Sequence, residues 1–228
     1  MSDTLYQAAA LIVPLVIAIV CHEVAHGWVA RALGDPTAAE LNRLSLNPLR
    51  HVDPVGTIVV PGVLALVKAP VIGWAKPVPV IKGRLRNPRF GMMAVAAAGP
   101  ATNLVLAAVG AVLLGLLVRL HGDQPSVFAA FAVANLVNFL LINIFLALFN
   151  MLPIPPFDGS HIVEGLLPPA AARRFERIRP FGLGLIVLLL VVLPSVAPGL
   201  GIIQHVVLPP VTWASDLYFA LADAIARM

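Results

Sequence analysis

Long apolar runs, separated by short polar or proline-rich stretches, make up most of this chain. Three of these runs are long enough, at 1.5 Å of rise per residue, to cross a hydrocarbon layer about 30 Å thick as α-helices. They occupy residues 6–33, 90–120 and 127–152. The pattern therefore predicts an all-α integral membrane protein built around three clear spans.

The region between the first two spans is apolar but interrupted. Residues 55–67 are too short for a full crossing and are broken by Pro61-Gly62, so we expect a re-entrant element that dips into the membrane and returns. Val78-Pro79-Val80-Ile81 is β-prone, but its prolines confine it to an edge or a loop. A short β-like or re-entrant segment is therefore predicted here.

The C-terminal third has a less regular pattern. Residues 181–193 and 202–208 predict one broken span or two short ones, and the pattern leaves this choice open. Residues 210–228 predict an amphipathic terminal helix near a membrane interface. The whole chain is then one polytopic domain with about 4–6 transmembrane or half-spanning helices. Its core covers about residues 6–165, and a membrane segment with a terminal helix covers about 181–228.

Composition supports a membrane environment and excludes other classes. The 228 residues are 60% hydrophobic and only 11% charged, against about 25% charged residues in soluble domains. The net charge of +4 does not imply a nucleic-acid partner, because the basic residues fall in short loops at 34–54, 68–89 and 168–180. Basic loops are typically cytoplasmic, so we expect a multi-pass cell-membrane protein with its N-terminus outside.

One polar motif interrupts the first apolar run: His22-Glu23-Val24-Ala25-His26. On an α-helix, His22 and His26 share one face and can bind one metal ion, with Glu23 beside it to accept a proton from water. Three polar residues within a membrane call for a compensating partner, and a metal ion is the natural one. The motif lies about two turns from the predicted cytoplasmic end of the helix. The adjacent Cys21, the one cysteine, points off this face and is read as a buried thiol.

A hydrolytic zinc site commonly has three protein ligands, so a third must come from elsewhere. The acids inside or beside apolar segments are Asp53, Asp158 and Glu164. Asp158 is the best candidate, because it follows a proline-rich turn at the predicted cytoplasmic end of the third span, at the depth of the histidines. Prolines would unwind the helix there, and Gly159 would let the backbone turn. A capping aspartate in an ordinary turn is the alternative.

Taken together, His22-Glu23-Val24-Ala25-His26 and the stretch from Asn150 to Gly159 resemble the site-two protease family of intramembrane zinc metalloproteases, in its compact form without a PDZ domain. Three more motifs strengthen the resemblance; they begin at Leu46, Gly73 and Ala98. It covers roughly residues 10–165, and Phe157 departs from the family's usual leucine.

The resemblance implies one Zn²⁺ per chain, held by His22, His26 and Asp158, with Glu23 as the general base. It implies cleavage of a peptide bond in or near a transmembrane helix of another membrane protein, in regulated intramembrane proteolysis. Asn103, from the family's Gly-Pro-x-x-Asn element, would bind substrate or bond across helices. Asn150 would likewise bind substrate or form a hydrogen bond across helices.

The other polar residues are predicted to have structural roles. His51, Asp53 and His161 are expected in loops, while Asn135, Asn138 and Asn143 are expected to form interhelical hydrogen bonds.

Rival functions remain open. A metalloprotease with a glutamate as third ligand would need Glu40, Glu164 or Glu176, none of which lies in a clear span. A metal-binding membrane chaperone or transporter would not need Glu23. Non-haem iron also uses two histidines and a carboxylate, although no oxygenase pocket is evident.

Overall fold

The computed structural model describes residues 2–66, 73–121, 126–197, 199 and 201–228. No β-strand is assigned in these ranges, in agreement with the predicted all-α class. The α-helices are α1 Ser2–Ala32, α2 Thr37–Glu40, α3 Val60–Leu66, α4 Pro88–His121, α5 Val127–Asn150, α6 Asp158–Leu166, α7 Pro169–Glu176, α8 Gly182–Val187, α9 Leu193–Val196 and α10 Leu208–Ala226. Short 3₁₀ or π turns occupy Pro48–His51, Pro54–Val59, Lys82–Arg84, Arg179–Phe181, Leu188–Val192 and Ile203–Val207.

Three mutually packed helices, α1, α4 and α5, form the centre of the molecule. Each contains a stretch that is long and apolar enough to cross a membrane: Leu5–Ala32, Pro88–His121 and Val127–Asn150. These stretches agree with the three predicted spans, and they mark the chain as a membrane protein. Small buried residues on α4, such as Ala107 and Ala111, let α5 and α10 approach closely.

The region between α1 and α4 has little regular structure. The turn Pro54–Val59 and helix α3 form a helical stretch about 20 Å long, shorter than a hydrocarbon layer. Its re-entrant path stays a prediction; Val67, the last residue of the predicted segment, and Lys68 lie outside the described residues. The predicted β-like segment, residues 78–81, belongs to no assigned strand. Residues 73–81 are instead anchored individually by hydrogen bonds to other loops and side chains.

Among the described residues, the C-terminal region contains two helical runs, 182–196 and 203–226, so the choice between one broken span and two short ones stays open. Helix α8, the π turn after it and α9 follow one another without interruption, so the described residues 182–196 form one helical run. The terminal helix α10 packs along α4 and α5. Its Tyr218 hydroxyl donates to the Leu104 carbonyl at 3.1 Å, while Trp213 is 66% exposed. The terminal helix is thus present, and its position at a membrane interface stays a prediction.

Candidate metal centre

Helix α1 carries both histidines of the His-Glu-x-x-His motif on one face. The centroids of the His22 and His26 rings are 4.7 Å apart, and the rings stand nearly perpendicular, at 84°. Both residues are buried, because this face of α1 packs against α4. The four-residue spacing therefore brings the two imidazoles to one point, as the sequence predicts.

Helix α4 fixes the orientation of both rings. His22 Nδ1 lies 2.5 Å from Asn103 Oδ1, and His26 Nδ1 lies 2.7 Å from the Val95 carbonyl oxygen. Both oxygens accept, so each ring carries its proton on Nδ1 and donates it there. Nε2 is therefore the nitrogen of each ring that is left to bind a metal, the usual arrangement for a ligating histidine.

Gly99 lies between these two contacts and provides the space for the rings. A Cβ atom at this position would be 2.5 Å from His22 Nε2 and 2.6 Å from His26 Cε1. A side chain here would therefore displace one imidazole or both. Val95, Gly99 and Asn103 are spaced by four residues, so they form one stripe on α4 facing the histidines.

Asn103 links three helices at the base of the site. Besides its contact with His22, its Nδ2 donates to the Ala18 carbonyl at 3.2 Å and to Asn143 Oδ1 at 2.7 Å. Asn103 and Asn143 are both fully buried. The predicted interhelical bond is what the structure contains. A contact between Asn103 and the substrate stays a prediction.

The proline-rich loop after α5 delivers the third group. Phe157 is buried in the core and contacts the Phe149 ring, with centroids 4.5 Å apart. Helix α6 begins directly afterwards at Asp158. Gly159 is required for a reason other than a turn: a Cβ atom there would lie 2.2 Å from the Met151 carbonyl oxygen, and its φ is not positive. The expected backbone turn at Gly159 is therefore wrong, and close packing explains the glycine.

The three predicted ligands meet in space. Asp158 Oδ2 is 3.1 Å from His22 Nε2 and 3.4 Å from His26 Nε2, and the three ligand atoms lie within 4.8 Å of one another. Ligand atoms around a tetrahedral zinc ion are about 3.4 Å apart. With both Nδ1 atoms protonated, three acceptors face each other, an arrangement that a bound cation would stabilise. In the part of the chain that the structure describes, no other His, Cys, Asp or Glu group converges in this way.

The other candidate carboxylates have different partners. Asp53 Oδ1 accepts from the Val55 and Gly56 amides at 3.0 and 2.7 Å and caps the turn Pro54–Val59. Glu164 pairs with Lys82 at 2.5 Å and with Arg179. Both therefore have structural partners of their own.

The remaining glutamates of the rival class also lie apart from the histidines. Glu40 is exposed and pairs with Arg84 at 2.8 Å, which raises the pKa of the arginine. Glu176 is exposed at the end of α7. The glutamate-ligand alternative thus has no support among the described residues.

His51 and His161 also have structural partners. His161 lies within helix α6, so its predicted position in a loop is wrong. His51 Nε2 donates to the Ser45 carbonyl at 2.7 Å. His161 lies against the Arg179 guanidinium, with its Nε2 2.7 Å from Arg179 Nη1. Burial, followed by the charge of Arg179, lowers the pKa of His161 to about 4. A neutral imidazole can accept from the guanidinium, so His161 serves packing between α6 and the C-terminal region.

The asparagines of α5 behave differently from one another. Asn138 Nδ2 donates to the Ala10 carbonyl of α1 at 2.9 Å, and Asn143 bonds to Asn103, so these two are interhelical as predicted. Asn135 donates to the Phe131 carbonyl of its own helix, so its predicted interhelical bond is wrong. Asn150 likewise donates within α5, to the Leu146 carbonyl at 2.9 Å.

Glu23 contacts the extended segment that follows α3. Its Oε2 accepts a hydrogen bond from the Val78 amide at 2.8 Å, and the residue is half-buried. Cys21, next to His22, is a free, half-buried thiol and is not part of the cluster. The Val78 contact joins residues far apart in the chain, and no local sequence signal could have predicted it.

Comparison with known proteins identifies the class of this chain. The model of peptidase family M50 matches residues 10–193. The chain therefore belongs to family M50, the family of the site-two proteases, and is a membrane metalloprotease.

Two relatives have names that agree with this class. "Putative zinc metalloprotease YwhC" of Bacillus subtilis (strain 168) is 39% identical over 176 residues, which are 75% of this chain and 75% of that protein. "Putative zinc metalloprotease Rip2" of Mycolicibacterium smegmatis (strain ATCC 700084 / mc(2)155) is 29% identical over 170 residues, covering 75% of this chain and 62% of that protein. No solved structure matches the chain.

Proposed function

We propose that this protein is an intramembrane zinc metalloprotease that hydrolyses a peptide bond within or near a transmembrane helix of another membrane protein. The observation that carries the proposal is the convergence of His22, His26 and Asp158 at the buried interface of α1 and α4. Zinc is the metal that the names of both relatives give. Family membership supports peptide hydrolysis as the reaction.

His22, His26 and Asp158 would hold one zinc ion per chain. Bound there, zinc supplies a Lewis acid that polarises a carbonyl group and makes a water molecule more acidic. The hydrogen bonds from His22 to Asn103 and from His26 to Val95 keep both Nε2 atoms directed at this point. The ligand set matches the two-histidine, one-carboxylate pattern of zinc hydrolases.

Glu23 would be the general base. It lies on α1 directly beside His22, and one of its oxygens is already held by the Val78 amide. The other oxygen would accept a proton from the attacking water and pass it to the leaving nitrogen. A site that only binds metal would not require this carboxylate, which is the feature that favours an enzyme over a metal-binding chaperone or transporter.

The extended segment 73–81 would receive the substrate. Its amides at Lys76, Val78 and Ile81 are bonded to His51, Glu23 and Asp35 respectively. Within the described ranges, the amide and carbonyl of Val80 have no such partner. A helix that has locally unwound could pair with this free backbone as a strand, next to Glu23. We place the site nearer the cytoplasmic face and the N-terminus outside, because the basic loops cluster at that end.

A cleavage assay tests the proposal. The probe is a single-span model protein whose transmembrane helix contains helix-destabilising residues, reconstituted with the full-length protein in vesicles. We expect one cut in or near that helix, abolished by a zinc chelator and restored by zinc. The variant Glu23→Gln should retain zinc and lose cleavage, because glutamine is the same size but cannot accept the proton.

Two outcomes would decide against the proposal. Undiminished cleavage by Glu23→Gln would remove the general-base assignment. If the wild-type protein binds zinc but cuts no single-span probe, a metal-binding chaperone or transporter becomes the better supported function. Iron instead of zinc in elemental analysis of the purified protein would overturn the metal assignment.

A further inference from the structure

A second cluster of polar and basic side chains lies at the end of α1, away from the metal centre. Trp28, Arg31, Asn42, Ser45 and Arg50 line a shallow cavity of about 380 Å³. The Arg31 guanidinium lies over the Trp28 ring, 5.5 Å from its centroid. None of the described residues that line this cavity is acidic. We call it the arginine cavity.

The two arginines keep unused hydrogen-bond donors. Arg50 Nη1 donates to the Asn42 carbonyl at 2.9 Å, which holds the loop closed around the cavity. Arg31 forms neither an ion pair nor a hydrogen bond with any residue that the structure describes. The nearby acid Glu40 is already paired with Arg84. The cavity thus has two positive charges without a negative partner, so it is suited to an anion.

The position of the cavity indicates which anion. Trp28 and Arg31 are in the last two turns of a membrane-spanning stretch, where the headgroups of a bilayer lie. Leu41, Leu46 and Leu49 on the same loop are 59, 68 and 78% exposed. Such leucines are costly in water but stable at the boundary of the acyl chains. A free phosphate ion would use the arginines and leave these leucines without a partner.

We propose that the arginine cavity binds the phosphate group of an anionic phospholipid such as phosphatidylglycerol, while the three leucines contact the acyl chains. The guanidinium groups of Arg31 and Arg50 would donate to the phosphate oxygens. Basic pockets at the ends of membrane helices bind anionic headgroups in this way.

The same loop continues to the segment above the metal centre. Arg43 Nη2 donates to the Lys76 carbonyl at 2.7 Å, and the His51 carbonyl accepts from the Lys76 amide at 2.8 Å. A lipid held by Arg50 would steady these two contacts, because Arg50 lies between Arg43 and His51 on that loop. Lipid binding would therefore reduce the opening of the segment around Lys76.

Native mass spectrometry tests the binding site directly. The full-length protein is incorporated into nanodiscs of phosphatidylcholine and phosphatidylglycerol, and the lipids retained after release are counted. We expect a preference for phosphatidylglycerol that falls about tenfold in R31Q/R50Q, since each basic residue near a membrane surface contributes to anionic-lipid affinity. The matched control R173Q/R177Q removes the same charge from two exposed positions, one in α7 and one directly after it, and should keep the preference.

Three further comparisons distinguish lipid binding from misfolding, from an effect of total charge and from binding of free phosphate. Arg31→Gln alone removes the contact with the Trp28 ring but breaks no described hydrogen bond, so it leaves the Arg50–Asn42 bond that closes the loop intact and should still lower the preference. An equal loss in R31Q/R50Q and R173Q/R177Q would overturn the proposal, since only total charge would then matter. If millimolar inorganic phosphate displaces the retained phosphatidylglycerol, the site recognises phosphate alone and the lipid assignment is wrong.

Hydrogen exchange tests the connection to the segment. We expect the Lys76 amide to exchange several-fold more slowly in nanodiscs with phosphatidylglycerol than in phosphatidylcholine alone, and R31Q/R50Q to abolish the difference. Identical exchange in both lipids would overturn the coupling. Neither measurement depends on catalysis, so the outcomes are independent of the proposed protease activity.

Discussion

Asp158 and Glu164 are carboxylates on the same short helix, α6, yet their surroundings are opposite in kind. Asp158 faces two imidazole Nε2 atoms, at 3.1 and 3.4 Å. Glu164 faces Lys82 at 2.5 Å and the guanidinium of Arg179. Both side chains are largely buried. Burial alone therefore does not separate a metal ligand from a structural ion pair; the chemical type of the partner does.

The difference follows from charge balance. A buried carboxylate is stable only when paired, and Lys82 and Arg179 already satisfy Glu164. The imidazoles facing Asp158 each donate an Nδ1 proton to an oxygen of α4, so each turns its Nε2 atom toward the carboxylate. The charge of Glu164 is therefore balanced by its partners, whereas Asp158 would be stabilised by a bound cation.

Asp158→Asn gives the largest expected effect. Asparagine keeps the size of the side chain but removes the charge that balances the metal, so zinc affinity should fall by at least about 100-fold, with loss of cleavage. Zinc per chain is measured by elemental analysis after dialysis against a calibrated chelator. The matched control Glu164→Gln should keep its zinc. Full zinc content in Asp158→Asn would make the two carboxylates equivalent and remove Asp158 from the ligand set.

Asn103→Leu tests the groups behind the histidines. Leucine has a similar volume but cannot accept a hydrogen bond from His22 Nδ1. The contact that orients the ring with Nε2 toward the metal centre is then lost. We expect zinc affinity to fall about 10–100-fold, the range for groups that orient a ligand. Asn135→Leu is the control, because the hydrogen bond that Asn135 forms among the described residues stays within its own helix. An equal loss in both variants would mean that helix packing, and not orientation of His22, causes the effect.

The convergence of His22, His26 and Asp158 could be predicted from the sequence because the signals for each residue are local. The spacing of His22 and His26 places them on one face, and the length of each apolar run predicts the three spans. Asp158 was the best of three acids because it follows a proline-rich break at the end of a span. These features depend on residues close together in the chain.

The groups around the ligands could not be predicted in the same way. The contacts of His22 with Asn103 and of His26 with Val95 join residues 81 and 69 positions apart. Sequence reasoning left the role of Asn103 open, although the four-residue stripe Val95, Gly99 and Asn103 was a usable signal. The helical run over residues 182–196 also continues beyond residue 193, the end of the predicted apolar stretch, because proline is tolerated in the first turn of α9.

Glu164→Gln should affect stability and leave the metal centre intact. The substitution removes the charge that pairs with Lys82 and Arg179, whose side chains are 43 and 33% exposed, so water screens part of the loss. We expect the free energy of unfolding to fall by about 1–2 kcal/mol. Thermal unfolding of the zinc-bound protein in detergent measures it. Glu40→Gln, which removes the exposed partner of Arg84, should change little; an equal change in both would contradict a special role for burial at Glu164.

The smallest expected effect concerns pH and distinguishes the Glu164 end of α6 from the Asp158 end. The pKa of His161 is about 4 in the folded protein, because of burial and then the charge of Arg179, whereas an unfolded histidine titrates near 6.5. Between these values the unfolded chain binds more protons, so stability is complete above about pH 6.5 and falls as the pH is lowered. Lowering the pH from 7.5 to 5.5 should cost about 1 kcal/mol from this residue.

His161→Gln isolates this contribution from the metal centre. Any loss of metal at low pH would affect both proteins equally, so that effect cancels in the comparison of their unfolding temperatures at pH 7.5 and 5.5. The variant should lose less stability than the wild type over this range. If both lose the same amount, His161 does not titrate between folded and unfolded states, and the acid sensitivity of the protein arises at the Asp158 end alone.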